Sequence, residues 1–369
     1  MPGTQCAGAN RRLAPLLLLA VATATAQEAE PESASAPFNS SQAAAEGMTR
    51  ASESLLLDIC DTGSGLVAVG ERGHILRSSD GAAWEQVADV PTRSTLTALE
   101  CRGNLLWTAG HDQVILHSRD GGVSWEQQYA SPDVFDPEAN SPLLDITFIS
   151  DSNGFAVGAY AIFLRSTDGG ATWEPDELTL ASDTDDEAAD DKADDADEAA
   201  EDDPYAFDYD AGFDDFIDYH LNNLVQMPGG DLYLAAERGN GFRSRDQGAT
   251  WEALQLPYGG SMFGALPLSE SGVLTFGLRG NLFVSDDLGD SWTQLNNSSL
   301  NSLNGGARLA DGRVVLVGVN GELLVVDGER LSSQLHENGD DFAAAVVRGD
   351  TLVLVGEGGV TLQRLEELP

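Results

Sequence analysis

Ser118-Arg119-Asp120-Gly121-Gly122-Val123-Ser124-Trp125 recurs as Ser166-Thr167-Asp168-Gly169-Gly170-Ala171-Thr172-Trp173. It returns as Ser244-Arg245-Asp246-Gln247-Gly248-Ala249-Thr250-Trp251 and as Ser285-Asp286-Asp287-Leu288-Gly289-Asp290-Ser291-Trp292. A copy one residue short, Ser78-Ser79-Asp80-Gly81-Ala82-Ala83-Trp84, precedes these, and a worn copy without its tryptophan, Val326-Asp327-Gly328, follows. The aspartates fall at 80, 120, 168, 246, 287 and 327. Their period is near 40, broken by one longer interval that holds a period plus an insertion of about 38 residues; such a period signals a propeller or a solenoid.

Short apolar runs precede each box. In the first unit they are Leu55–Cys60, Leu66–Val69 and Ile75–Arg77, and in the fifth Val273–Phe276 and Asn281–Val284. Runs of four to six residues between glycine turns read as strands. One unit is therefore strands A, B and C, the box turn, and strand D beginning at the tryptophan, which is one propeller blade. A seventh unit starts at Phe342-Ala343-Ala344-Ala345-Val346-Val347, runs through Leu352–Val355 to Val360–Leu365 and ends with the chain before a D strand. The expected fold is all-β: a seven-bladed β-propeller with four-stranded blades, the ring closed by an N-terminal strand from within residues 37–50.

The box residues suit a sharp turn. Aspartate accepts from turn N–H groups whose ladder bonds end there. Glycine takes positive φ without a Cβ clash. Tryptophan starts strand D with its ring beneath the turn, and burying 150–250 Å² is worth roughly 4–6 kcal/mol gross. Asp80, Trp84, Asp120, Gly122, Trp125, Asp168, Gly170, Trp173, Asp246, Gly248, Trp251, Asp287, Gly289 and Trp292 are thus structural. The same aspartate recurs blade after blade, where one active site could not.

These segments resemble Asp-box (BNR-type) repeats. A second signature precedes the boxes: Val69-Gly70-Glu71-Arg72-Gly73-His74-Ile75-Leu76, then Ala236-Glu237-Arg238-Gly239-Asn240, Phe276-Gly277-Leu278-Arg279-Gly280-Asn281 and Val317-Gly318-Val319-Asn320-Gly321. The combined repeat resembles the photosystem II stability/assembly factor family over roughly residues 50–369. The resemblance implies a secreted or lumenal seven-bladed propeller without enzyme activity. Relatives in non-photosynthetic bacteria mean that photosynthesis does not follow, and such a bacterial member is the reading adopted. The acidic insertion, a single lysine and degenerate sixth and seventh units depart from the family pattern. The other Asp-box reading is a sialidase-like glycoside hydrolase. It would need an Arg-Ile-Pro segment before the first box, but Arg50 and Arg72 lack that context.

Residues 1–26 read as a secretory signal: Arg11 and Arg12, an apolar run Leu13–Ala22, and Ala24-Thr25-Ala26 before Gln27. The run is too short to span a bilayer. Residues 27–49 read as a flexible lead-in and closing strand, and 50–369 as the propeller with an insertion at about 176–219. The expected localisation is exported, periplasmic or equivalent. The net charge of −42 opposes nucleic acid and anionic membrane surfaces. Three cysteines argue against a disulfide framework or a cysteine-built zinc site. Cys60 and Cys101 end equivalent A strands of neighbouring blades; an oxidising compartment permits a bridge, the separation of repeated equivalents can exceed the Cα distance of about 4.4–6.8 Å that it requires, and both readings stand.

In a propeller the box turns share one face, and the B–C turns and D–A connections share the other. The second face carries the B–C pairs with Arg72, Asp112, Tyr160, Arg238 and Arg279, and every long connection, the insertion included. The insertion joins a run of Asp, Glu and Ala (Asp183–Asp203) to an acidic-aromatic stretch with Tyr205, Phe207, Tyr209, Phe213 and Phe216. Acidic-aromatic alternation suits docking to a partner, or packing back on the propeller; both readings stand. The arginines equally suit an acidic partner or the insertion itself. Asp208-Tyr209-Asp210-Ala211-Gly212 lacks the spacing and terminal Glu of a calcium loop. No catalytic, metal or cofactor residue is assigned. The expected function is a monomeric, non-enzymatic extracytoplasmic scaffold that binds a protein partner, a membrane complex, without itself inserting in the membrane.

Overall fold

The computed structural model describes residues 38–131, 141–181 and 219–369. Met1–Phe38 forms one unit, of which only Phe38 is described, and Asn39–Pro369 forms the other. The signal segment therefore lies outside the described residues, as do Tyr205, Phe207, Tyr209, Phe213, Phe216 and the calcium-loop look-alike.

Asn39–Pro369 folds into seven antiparallel sheets in chain order, six of four strands and one of three. Blade 1 runs Leu56–Asp61, Leu66–Gly70, Ile75–Ser78 and Glu85–Gln86. The inner A strands of blades 2 to 7 are Leu96–Arg102, Leu143–Phe148, Leu221–Gln226, Met262–Pro267, Leu303–Arg308 and Phe342–Arg348. The B strands Leu66–Gly70, Gly154–Gly158, Leu232–Ala236, Val273–Gly277 and Val314–Gly318 are buried at every position. Neighbouring sheets cover both of their faces, which is why they read as unbroken apolar runs rather than alternating ones. The apolar clusters sit between blades: Val67, Val69 and Ile75 of blade 1 pack with Leu96, Leu99, Leu106 and Leu116 of blade 2.

The Val-Gly-x-x-Gly signature has a steric cause. A Cβ on Gly70, at the end of strand B, would run into the carbonyl oxygen of Leu55, and the equivalents Gly110, Gly158, Gly277, Gly318 and Gly356 meet the same obstacle. The second glycine takes left-handed backbone, φ 71° at Gly73 and 69° at Gly280. A residue with any Cβ is strained there.

Each A strand carries a one-residue bulge near its start, between Leu56 and Asp58 in blade 1 and at the matching place in the other six. These strands line a narrow central channel of about 250 Å³. Their inner edges would leave N–H groups unpaired, which is costly when buried. Side chains just after the bulge answer this between blades. Leu99 N–H donates to Asp58 Oδ2 (2.7 Å), Leu224 N–H to Asp145 Oδ2 (2.7 Å), and Ala265 N–H to Asn223 Oδ1 (2.9 Å). Burial pushes Asp58 up to about 7 and Asp145 to about 6 despite these bonds. Burial and the negative charge of Asp145 push Glu100 to about 8.

One expectation is corrected and one question that the sequence left open is answered. First, no N-terminal strand closes the ring among the described residues. Residues 39–55 contain two single turns of 3-10 helix, Ser40–Gln42 and Ala51–Glu53, and blade 7 keeps three strands. The N-terminal segment instead straps blade 1: Ala45 N–H donates to Val90 O (3.0 Å) and Met48 N–H to Gln86 Oε1 (2.7 Å). Closure comes from sheet packing. Leu56, Ile59, Leu66 and Ala68 of blade 1 meet Val353 and Val355 of blade 7, and Arg348 pairs with Asp61 at 2.7 Å. Blades pack face to face, so an apolar seam suffices where no strand is exchanged. Second, Cys60 and Cys101 are bridged, with Cα atoms 6.2 Å apart. Blades converge on the channel, so equivalent residues are nearest on the innermost strands.

The boxes behave as their chemistry requires. Val123 and Ser124 N–H donate to Asp120 Oδ1 (3.0 and 2.9 Å), Ser124 Oγ–H to Oδ2 (2.6 Å), and Gly122 N–H to Ser118 Oγ (2.9 Å). The Ser124 bonds foremost hold Asp120 down at about 2. Trp84 and Trp125 donate to Gly81 O and Gly122 O, whereas the indole N–H groups of Trp173, Trp251 and Trp292 find no partner among the described residues. The sixth tryptophan, Trp107, stacks on Phe148 and His117 and donates to Gly169 O, supporting the next blade's box. In blade 6 the worn box is a tight hairpin, with Asp327 paired to Arg330.

Candidate protein-binding face

Strand register places B–C turns beside the starts of A strands: Leu56 faces Gly70, Leu96 faces Gly110 and Leu303 faces Gly318. The D–A connections reach the same side, since a Cβ on Gly73 would meet Thr92 O. The boxes sit with the A–B turns opposite, where Gly121 N–H donates to Asn104 O and Leu288 N–H to Ser271 O.

On the B–C face six blades hold one non-glycine residue in left-handed backbone at the same turn position: Arg72, Asp112, Tyr160, Arg238, Arg279 and Asn320, with φ between 53° and 58°. This conformation costs a residue with a Cβ roughly 1–2 kcal/mol. The six side chains are of four kinds, and Asp112 is held inward, accepting from the hydroxyls of Ser40 and Ser94. Gln113 and Ala161, φ 51° and 56°, take the place of the following glycine in blades 2 and 3. The sequence pattern made four of these positions site candidates; Asp112 was placed on the face but not made a candidate, and Asn320 was read only as part of the repeat, although both occupy the same slot.

The structure spreads the predicted arginines rather than clustering them. Arg72 lies on blade 1 and is exposed, with Nε 3.9 Å from Glu71. Arg238 and Arg279 lie on blades 4 and 5. Arg279 lines a cleft of about 240 Å³ with Tyr258, Asn281, Gln294, Asn297 and Leu300. Leu300 is 79% exposed, an apolar residue that the strand-centred reading passed over because it sits in a D–A loop. Tyr160, 66% exposed, packs edge-on against His220 at 5.2 Å, and His220 Nδ1 lies 3.7 Å from Glu237.

The stem of the insertion departs from the expected placement on this face. After the short D strand Glu174–Pro175, residues 176–181 turn along the outer wall of blade 4. Trp251 N–H donates to Thr179 O and Ala181 N–H to Trp251 O (both 2.9 Å), with Leu178 and Leu180 against the Trp251 cluster. The chain re-enters at Tyr219, where Ala161 N–H donates to Tyr219 O on the B–C face. The two roots of the insertion thus lie on different sides of the ring, because two leucines find apolar cover beside Trp251.

Among the described residues no three His, Cys, Asp or Glu side chains are grouped to hold a metal ion. No helix there is long and apolar enough to cross a membrane.

A family model described as photosynthesis system II assembly factor YCF48 matches residues 133–190. The chain is 51% identical over 37 residues to the photosystem II assembly lipoprotein Ycf48 of Prochlorococcus marinus strain SARG, covering 10% of this chain and 11% of that protein. It is 46% identical over 48 residues to that of strain MIT 9312, 13% and 14% of the two chains. The match spans about one tenth of these curated relatives. Among solved structures, YCF48 bound to D1 peptide aligns with TM-score 0.59 and 17% identity over 89% of this chain and 96% of that one. YCF48 from Cyanidioschyzon merolae aligns with TM-score 0.60 and 16% identity, covering 87% and 98%. The WD40 propeller of Doa1, at TM-score 0.57 and 10% identity, covers 87% and 94%. At these identities the structural likeness speaks for the fold alone. With its Asp boxes and Val-Gly-x-x-Gly turns, the chain is a seven-bladed β-propeller that is similar, around its third blade, to photosystem II assembly factors.

Proposed function

We propose that this protein is a non-enzymatic scaffold of an extracytoplasmic compartment that binds a protein partner, part of a membrane complex, through its B–C face. The observation that carries this reading is the ring of six left-handed turn residues. A turn of purely structural use would take glycine, asparagine or aspartate at that position. Here three arginines and a tyrosine occupy four of the six slots at a recurring backbone cost. Arg72, Arg279 and Tyr160 offer guanidinium and aromatic groups, which dominate protein-binding hot spots. The Cys60–Cys101 bridge supports an oxidising compartment. Similarity to photosystem II assembly factors supports a role in complex assembly, and one solved relative is a YCF48 bound to a D1 peptide.

The test is capture from solubilised membranes of the producing organism. Wild type, Arg72→Glu/Arg279→Glu, Tyr160→Ala and a chain lacking residues 182–218 are compared, the last keeping the Trp251-bound stem. The reading expects one membrane protein to be retained by wild type and lost, at least ten-fold, with the arginine reversal. Equal capture by all four, or glycoside hydrolysis abolished by substituting one glutamate of this face, would overturn it.

A further inference from the structure

Six blades carry an outer D strand and the seventh carries none among the described residues. The other blades define what is missing. Val87 N–H donates to Ile75 O (2.8 Å) in blade 1, Asp176 N–H to Phe163 O (2.9 Å) in blade 3 and Leu295 N–H to Leu282 O (3.1 Å) in blade 5. The backbone at the Ile75 position therefore faces outward. Register places Val360 at that position, since Val355 faces Val360 as Val69 faces Ile75. With a period of two, the N–H and C=O groups of Val360 and Leu362 point outward from the strand Gly359–Arg364. No described strand receives them; the turn Ala51–Glu53 lies against the start of the strand at Gly359, and the edge beyond it is uncovered among the described residues.

The side chains differ there as well. The place of Leu362 is held in blades 1 to 4 by Arg77, His117, Arg165 and Arg243, each paired across the ladder with a glutamate of strand D. In blade 7 it is a leucine, 47% exposed. Open edges are normally blunted by proline, a bulge or inward charge; Val360–Gln363 has none of these.

The charge of the chain that builds blade 7 selects the occupant. Residues 337–369 hold Glu337, Asp340, Asp341, Asp350, Glu357, Glu366 and Glu367 against Arg348 and Arg364, and both arginines are already paired, with Asp61 and Asp350. A second copy would bring the same acidic rim. The chain before Phe38 offers Glu28, Glu30 and Glu32 with Pro31 and Pro37, a poor strand of the wrong sign. We propose that Val360–Leu362 is a strand-addition site for a partner's extended segment in which basic and apolar residues alternate. The apolar side chains pack on Leu362, the basic ones face the acids, and the main chain completes the blade. This site is distinct from the B–C face.

The test uses the full chain and a synthetic peptide, acetyl-Lys-Val-Lys-Leu-Lys-Val-Lys-amide, with its glutamate counterpart and a version N-methylated at alternate amides. Amide hydrogen exchange and affinity are read together. The basic peptide should slow exchange at Val360 and Leu362 at least ten-fold and bind at least ten-fold more tightly than the methylated one, with no binding by the acidic one. Leu362→Pro removes only an outward N–H, which an edge strand tolerates, and should weaken binding ten-fold with an unchanged melting curve. If that variant unfolds, the methylated comparison on wild type still decides. Equal binding of the methylated peptide, protection elsewhere, or protection of these amides without peptide, whether dependent on protein concentration or not, would each overturn the proposal.

Discussion

Replacing Cys60 and Cys101 together by serine removes the covalent staple between the inner strands of blades 1 and 2 without leaving a reactive thiol. The bridge closes a loop with a sequence separation of 41. In the chain-entropy account such a loop removes about 13 cal/mol/K from the unfolded ensemble, or about 4 kcal/mol at 25 °C. A propeller of roughly 290 described residues melts with an entropy near 0.6 kcal/mol/K, so the loss corresponds to about 6–7 °C in Tm. The native geometry changes little in this account, because the two strands also meet through Val67, Val69, Leu96 and Leu99. The assay is calorimetric melting of wild type with and without reductant, beside the double serine variant. Reduced wild type and the variant should melt together, both about 6–7 °C below oxidised wild type. A shift under about 2 °C, or no response of wild type to reductant, would refute the argument. It would mean either that the bridge does not form or that the reduced chain is already restrained by the ring.

Asp246→Ala should cost about 1–3 kcal/mol, since the Thr250 N–H and hydroxyl lose their acceptor, while Trp251→Ala should cost about 3–5 kcal/mol through the cavity it leaves; denaturant melts rank the two. Arg243→Met should destabilise by about 3 kcal/mol, because this buried guanidinium bridges Glu252 and Asp290 at 2.6 Å and donates to Leu288 O of the next blade; Arg72→Ala, exposed, should change stability by less than about 0.5 kcal/mol. Stability should fall as pH rises from about 4 to about 8: Asp58, Asp145 and Glu100, raised to about 7, 6 and 8, bind protons in the folded state that the unfolded chain has released. Below about pH 4 the sign reverses, because Asp120 and Asp287 are held at about 2 in the fold and the unfolded chain takes up its protons first. Tm plotted against pH should therefore peak near about pH 4–5, and a Tm still rising between about pH 6 and 8 would contradict the channel carboxylates' role.

The amino-acid sequence by itself determined the blade count, the strand order and the box chemistry. These are local properties that recur from blade to blade: a glycine where a Cβ would strike the preceding carbonyl, an aspartate that must bond the turn following it, an apolar run wherever a strand is covered on both sides. The seventh unit, read as Phe342–Val347, Leu352–Val355 and Val360–Leu365, emerges as strands at Phe342–Arg348, Thr351–Gly356 and Gly359–Arg364. The B–C positions Arg72, Tyr160, Arg238 and Arg279 were likewise legible as one face, because strand alternation fixes which turns share a side. What only the tertiary structure decided depends on distances between units that the repeat does not encode. How closely inner strands converge settled the Cys60–Cys101 bridge. Whether the first and last blades meet by a shared strand or by an apolar seam was settled by the packing of Leu56 and Leu66 on Val353 and Val355. The route of residues 176–181 was settled by cover beside Trp251, and the left-handed conformation shared by Arg72 and Asn320 by the turn geometry they occupy. A repeat specifies each unit and its neighbours' order; the closure of the ring, and the edge that closure leaves open, arise only when all seven units are in place.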